Sequence, residues 1–414
     1  MRLQSYSLPG KYYEGQLTYP PSLQVPADDE RFWAAVRAEF DASEDFINLE
    51  NGFFGMPSRP VQEAFEAYSR MVNREAACFM RNRFPQRLAQ VVETLAGFSG
   101  VAPEELVIVR NPTEGMNILI QGYPFRAGDE VVIGNQDYDS VDEALAMMQQ
   151  RGRFSIVRVA LPFHPRDDDE IVDAYECAIT PKTRVMVLTH MLHRTGQILP
   201  VAKIARMARS RGIDVFVDAA HSFAHLDYRL PELESDFVVA HLHKWLGAPL
   251  GVGLLHVRKE RIAEIAPLFG DTRYPAGDIR KLAHFGTRPP AAILAIEDAI
   301  AFHNRIGGRS KEARLRYLKD YWVSRVKDFE RIVMMTPQAP ERACAIAAFK
   351  VQGMEPARVA DYLFEEHRIF TVATGAAGES FVRVTPHLYN TTGQLDRLAK
   401  AIGSLLQGVG GAKR

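Results

Sequence analysis

The sequence predicts an α/β fold: a mostly parallel sheet flanked by helices, followed by a smaller C-terminal α+β domain. Three observations predict it. Two short apolar runs, Val215-Phe216-Val217 and Val238-Val239-Ala240, stop on polar groups: Asp218 and His221 after the first, His241, His243 and Lys244 after the second. Short apolar runs bounded by breakers read as strands buried in a parallel sheet. Between residues 100 and 260 such runs alternate with helical segments, the rhythm of a sheet covered on both faces. After Pro289-Pro290 the texture changes to long charged helices and shorter strands.

In order, residues 1–45 read as a Pro- and Tyr-rich arm with a short helix at its end, 46–290 as the large domain and 291–414 as the small one. Phe46 to Leu49 is a brief strand, Asn51-Gly52 and Gly55 to Pro60 are turns, and a helix runs from Pro60 towards Arg74. Arg81, Arg83 and Arg87 each read as part of a solvated helix face; together they can face an anionic ligand. Strands are expected at 105–109, 130–133, 154–161, 184–189 and around Val215 and Val238. Helices are expected from Pro112, from a capping box at Ser140-Val141-Asp142-Glu143, over 168–179, and over 201–211 behind Pro200 and ended by Gly212. The C-terminal part reads as helices 291–306 and 310–329 parted by Gly307-Gly308, then strands 343–351, 369–372 and 380–385 with a helix over 356–367. A last helix, capped by Asn390 or Thr391, reaches Leu406, and the glycine-rich tail beyond it should fray.

At 414 residues the chain is long enough for two domains. A formal net charge of −1 gives no electrostatic case for nucleic acid or an anionic membrane. Three widely spaced cysteines argue against a disulfide framework and suit a reducing compartment. The first residues lack an apolar core of signal-peptide length and no run is long enough to span a bilayer, so a soluble cytoplasmic protein is expected.

Ligands of open α/β sheets bind at the carboxyl ends of the strands. Asp218 and Lys244 both fall there. A lysine in dry surroundings loses its preference for the ammonium form and becomes a nucleophile for carbonyls, although a lone His-X-His-Lys reads better as a surface lysine. A carboxylate after an apolar strand needs a cationic or hydrogen-bonding partner. His221, His225, His241 and His243 raise a metal as a rival partner, but their spacing matches no ligand motif, and no metal is expected. Asn111-Pro112-Thr113-Glu114-Gly115, between a strand and a helix, reads equally as an ordinary cap or as a phosphate-binding turn. Arg383, inside an apolar strand, asks for a buried partner, either a substrate carboxylate or a structural ion pair.

In this order and spacing, Asp218-Ala219-Ala220-His221 and then His241-Leu242-His243-Lys244-Trp245 with Gly247, the chain resembles the class V aminotransferases, fold type I pyridoxal-phosphate enzymes. Within them it is most similar to the isopenicillin N epimerase-like group. The resemblance implies pyridoxal 5′-phosphate as cofactor, held as a Schiff base by Lys244, which then shuttles protons at the substrate Cα. It implies Asp218 against the pyridine nitrogen, His221 near the phenolate oxygen, and Tyr138 stacked on the ring. It implies Thr113 and Glu114, through their backbone N–H groups, with His241 and His243, at the phosphate. Thr287 matches a residue that reaches the phosphate of the neighbouring subunit, which implies a homodimer with a shared active site. Arg383 matches the clamp on the substrate α-carboxylate.

Two departures stand out. The similar cysteine desulfurases need a nucleophilic cysteine before the Arg383 strand, and here Thr371 to Glu379 has none. They also carry asparagine where this chain has His193; Arg194 beside it faces either a second substrate acid group or solvent. The reaction expected is transamination or epimerisation at the Cα of a small amino-acid substrate, with an acidic or carboxylate-bearing one favoured by Arg383. The alternatives are a β-eliminating C–S lyase without catalytic cysteine, or a non-catalytic regulatory protein of the same fold. A nicotinamide dehydrogenase is disfavoured, because Gly247 to Gly253 opens a strand, whereas a dinucleotide fingerprint opens a helix.

Overall fold

The computed structural model describes residues 25–284 and 286–410; most of the expected arm and the end of the tail lie outside them. The helix closing the arm is α1 (Glu30–Arg37), capped by Asp29, whose carboxylate accepts the Phe32 N–H. A short strand, β1 (Ile47–Asn48), leads to α2 (Arg59–Asn82), which runs past the expected end at Arg74 because Ala76, at φ +47°, kinks the helix without ending it. Then come α3 (Phe84–Ser99), β2 (Leu106–Val109), α4 (Pro112–Gly122), β3 (Asp129–Gly134) and α5 (Asp139–Gln150). The capping box expected at Ser140 is not used: α5 starts two residues earlier, behind Tyr138, so Ser140 lies inside the first turn. β4 (Phe154–Val159), α6 (Asp168–Cys177), β5 (Thr183–Thr189), α7 (Val201–Arg209), β6 (Asp214–Asp218), β7 (Phe237–His241) and β8 (Gly253–Val257) complete the larger sheet.

That sheet has the order β2-β8-β7-β6-β5-β3-β4. Its ladders are parallel except where β8 meets β2 and β7. Its strands are buried and rich in Val, Ile and Leu, as a sheet covered on both faces requires. One core lies between the sheet and α2, α3 and α7; the other lies between the opposite face and α4 and α5.

The chain continues through α8 (Pro290–Leu294), α9 (Ile296–Ile306) and α10 (Gly308–Val326). The single helix expected over 291–306 is interrupted at Ala295, and residues Ala291 to Ile300 pack in the first core with α2 and α3. Gly307, at φ +87°, separates α9 from α10. Last come β9 (Ile332–Met334), β10 (Ala347–Val351), α11 (Pro356–His367), β11 (Ile369–Phe370), β12 (Val372–Ala376), β13 (Glu379–Val384) and α12 (Thr392–Gly410). The strands β12-β13-β10-β9 form an antiparallel sheet in that order. Residues 373–376, which fall between the expected strands 369–372 and 380–385, therefore belong to a strand; β-hairpin pairing with β13 overrides their weak Ala-Thr-Gly propensity. β1 pairs with β11, and Thr385 donates its N–H to Leu49 O at 2.7 Å, which ties the start of the chain to the smaller sheet.

Candidate active site

β6 and β7 pair in parallel, with Asp218 opposite Val239, so their ends bring Asp218 beside the turn that carries His243 and Lys244. Lys244 Nζ lies 2.8 Å from His221 Nε2. On the other side of that ring, Trp245 Nε1 donates to His221 Nδ1 at 3.5 Å. A nitrogen that accepts leaves the proton of a neutral imidazole on the other nitrogen, so His221 donates towards Lys244. Burial pushes His221 well below the usual imidazole range, with the Lys244 charge adding to it.

Burial likewise pushes the Lys244 ammonium down; Asp218 opposes this and Arg383 adds to it. The Asp218 carboxyl, 2% exposed, is pushed up by burial, against the Ala220 N–H that donates to Oδ1 at 2.8 Å. Burial thus moves both the acid and the amine towards their neutral forms.

Two glycines let the loop after β1 reach this site. A Cβ on Gly55 would lie 1.9 Å from Lys244 O, and Gly55 N–H donates to His243 O at 2.9 Å. A Cβ on Gly52 would lie 2.8 Å from the guanidinium carbon of Arg383. Arg383, on β13, donates from Nη1 to His193 O at 2.6 Å and from Nε to Glu50 at 3.3 Å, and its Nη2 closes the ion pair with Glu50. The partner that the sequence asked for is thus Glu50, a residue that sequence reasoning missed.

The turn before α4 is capped by Asn111, whose side chain accepts the Glu114 N–H at 2.9 Å. This corrects one expectation: the Glu114 N–H is committed to the cap, and its carboxylate holds Arg110. The Thr113 N–H and hydroxyl donate to no acceptor among the described residues. Gly115 allows α4 to press on β7, since a Cβ there would lie 2.7 Å from Val239. His243 Nδ1 donates to Val252 O at 2.9 Å, which leaves its Nε2 for another partner. His241 lies 4.2 Å from it between ring centroids, and His241 Nδ1 is buried without a partner among the described residues.

Tyr138 stands edge-on to His193 at 5.1 Å, and the His193 ring lies near-parallel to His221 at 6.3 Å. His193 Nδ1 is also a buried nitrogen without a partner among the described residues. Thr287 is exposed and hydrogen-bonds none of these residues. Arg83 pairs with Glu75 and Arg87 with Glu297, so two of the three arginines suggested for anions are taken up by internal carboxylates, while Arg81 is exposed. The missed residues Glu50, Gly52 and Gly55 left one signal, two glycines three residues apart, which read only as turn material; Trp245 was part of the resembling motif but was given no role.

This donor set fits pyridoxal 5′-phosphate. It offers an amine pushed towards its nucleophilic form, a buried acid, and orphaned imidazole nitrogens at His193 and His241 awaiting a polar ligand.

Comparison with known proteins agrees. The chain is 28% identical over 390 residues to isopenicillin N epimerase of Streptomyces clavuligerus, covering 90% of this chain and 98% of that protein. It is 29% identical over 393 residues to its counterpart in Amycolatopsis lactamdurans, with the same coverage. A probable cysteine desulfurase of Methanothermobacter thermautotrophicus is 26% identical over 83% of this chain and 90% of that one. Among solved structures, the apo cysteine desulfurase of Thermococcus onnurineus superposes with a TM-score of 0.81 at 20% identity, over 91% of this chain and 98% of that one. The fold is accordingly that of the fold type I pyridoxal-phosphate transferases. The family model for class-V aminotransferases matches residues 58–398, and the protein belongs to that family.

Proposed function

We propose that the protein is a pyridoxal-phosphate-dependent enzyme that moves the Cα proton of an amino acid, as an epimerase or an aminotransferase. The observation that carries this reading is the 2.8 Å contact of Lys244 Nζ with a neutral His221 at the end of the Asp218 strand. When bound, the cofactor supplies an electron sink for the bond broken at Cα. Lys244 would hold the cofactor, and its Nζ would take the Cα proton when free. Asp218 pairs with the pyridine nitrogen and keeps its proton in place. His221 and His193 would donate to the ring oxygen, and Tyr138 would cover the ring. Thr113, His241 and His243 take the phosphate, with Glu114 bracing the turn through Arg110. Arg383 receives the substrate carboxylate. Thr287 serves the phosphate of a second subunit in a homodimer.

Full-length similarity to two isopenicillin N epimerases supports proton return at Cα. β-Elimination is the second reading. It is supported by 26% identity over 68% of this chain to a putative L-cysteine desulfhydrase of Oryza sativa. Persulfide chemistry is disfavoured: the β12–β13 hairpin carries no thiol, and burial pushes the Cys344 thiol up to about 12. Incubation with an amino-acid panel in deuterated buffer tests the reading. Deuterium at Cα with inverted configuration marks an epimerase, keto acid an aminotransferase, and pyruvate or sulfide a lyase. No exchange on any amino acid, with cofactor bound, would sink the proposal.

A further inference from the structure

Arg383 already holds an internal carboxylate. Glu50, its side chain 7% exposed, takes Nε and Nη2, the side-on edge of the guanidinium. His193 O takes one Nη1 hydrogen. Of the five N–H donors of a guanidinium, those left are one on Nη1 and one on Nη2. Arg194, the other arginine flanking His193, is paired with Asp139. Both cations at this edge of the site are therefore matched by a carboxylate before substrate arrives. Glu50 is itself fixed: its N–H donates to Asn48 Oδ1, and its neighbour Asn51 is bound to Thr385 and Tyr389.

We propose that Glu50 is a specificity-determining residue that limits the clamp to one substrate carboxylate and turns the site against amino acids with a second acid group. The inference rests on the reading of Arg383 as the carboxylate clamp. One incoming carboxylate meets the remaining Nη1 and Nη2 hydrogens with Glu50 still in place. The guanidinium then carries two anions, and a further anion nearby finds repulsion instead of an unmatched cation. Glu50 thereby sets ground-state affinity, weakening the hold on carboxylates and excluding dicarboxylates. The expected substrate side chain is neutral or cationic, against the acidic substrate suggested by sequence.

Unreactive carboxylates test this without turnover. Propionate and glutarate are titrated into the cofactor-loaded protein by ligand-observed NMR. The wild type is expected to bind propionate more tightly than glutarate. Glu50→Gln should tighten propionate about tenfold and erase the preference; Glu50→Asp should keep it. Arg383→Gln should lose both ligands; if it does not, the clamp reading fails, whatever Glu50 does. A wild type that prefers glutarate overturns the proposal even if no variant folds. So does a Glu50→Gln protein with unchanged or weaker propionate binding, provided that Arg383→Gln abolishes it.

Discussion

Lys244 and Lys311 are both lysines whose ammonium forms burial pushes down, yet they stand in unlike places. Lys244 ends a turn at the strand termini, against a neutral imidazole and near a buried acid. Lys311, on α10, is 3% exposed and donates its Nζ to the Trp245 carbonyl, near the Cys344 thiol. Trp245 links the two: its indole N–H reaches His221, the ring that Lys244 contacts, and its carbonyl takes Lys311. A depressed lysine pKa is not in itself a site. What sets Lys244 apart is its place: it sits at the strand ends beside His221 and near Asp218 and is only half-buried, whereas Lys311 is fully enclosed with its Nζ on a backbone carbonyl.

The largest effect that can break this comparison is on turnover. Lys244→Ala should lower the rate by about 10³-fold or more while leaving the secondary structure by circular dichroism intact. Next is acid sensitivity in the region around Lys311. Burial holds His387 down at about 3. In the unfolded chain it takes up a proton near its ordinary value of about 6.5. Its folded pKa is the lower one, so this stability is full above about pH 6.5 and is lost as pH falls towards 3. The loss should reach on the order of 3 kcal/mol in urea titrations compared at pH 7.5 and pH 4.5. A pH-independent midpoint over that window would refute the neutral, buried imidazole.

A smaller effect sharpens the link between the two regions. Trp245→Phe removes the donor to His221 Nδ1, which frees the ring to take the other tautomer. The expected result is roughly a tenfold loss in kcat with a shifted pH profile, beside a lowered melting point from the cavity that the smaller ring leaves in the core. A profile that keeps its shape would make Trp245 merely structural. The smallest effect belongs to Lys311→Met. It relieves a buried amine but strips the Trp245 carbonyl of its donor, so stability should change by about 1 kcal/mol or less, with activity retained. Loss of activity at normal cofactor content would erase the distinction drawn here.

The strand-end half of the site was legible in the sequence because local pattern determines it. An apolar run that stops on Asp218, and another that stops before Lys244, locate two sheet ends without knowledge of the fold. Asn111 as cap and Pro112 at the first helical position were equally local, although the cap's claim on the Glu114 N–H was overlooked. The Arg383 half was not legible in the same way. Glu50 meets Arg383 across 333 positions of sequence, and no local rule chooses that carboxylate over others. Gly52 and Gly55 signalled close approach but not what approached. Short elements failed for a related reason: β9 has three residues, and β12 is made a strand by its hairpin partner rather than by propensity.

The most direct measurement separates the two lysines chemically. Protein loaded with pyridoxal phosphate is reduced with borohydride, which fixes the cofactor to whichever amine holds it, and its peptides are mapped by mass. The account expects the label on Lys244 alone. A label on Lys311, or none on a protein that binds the cofactor, would contradict it.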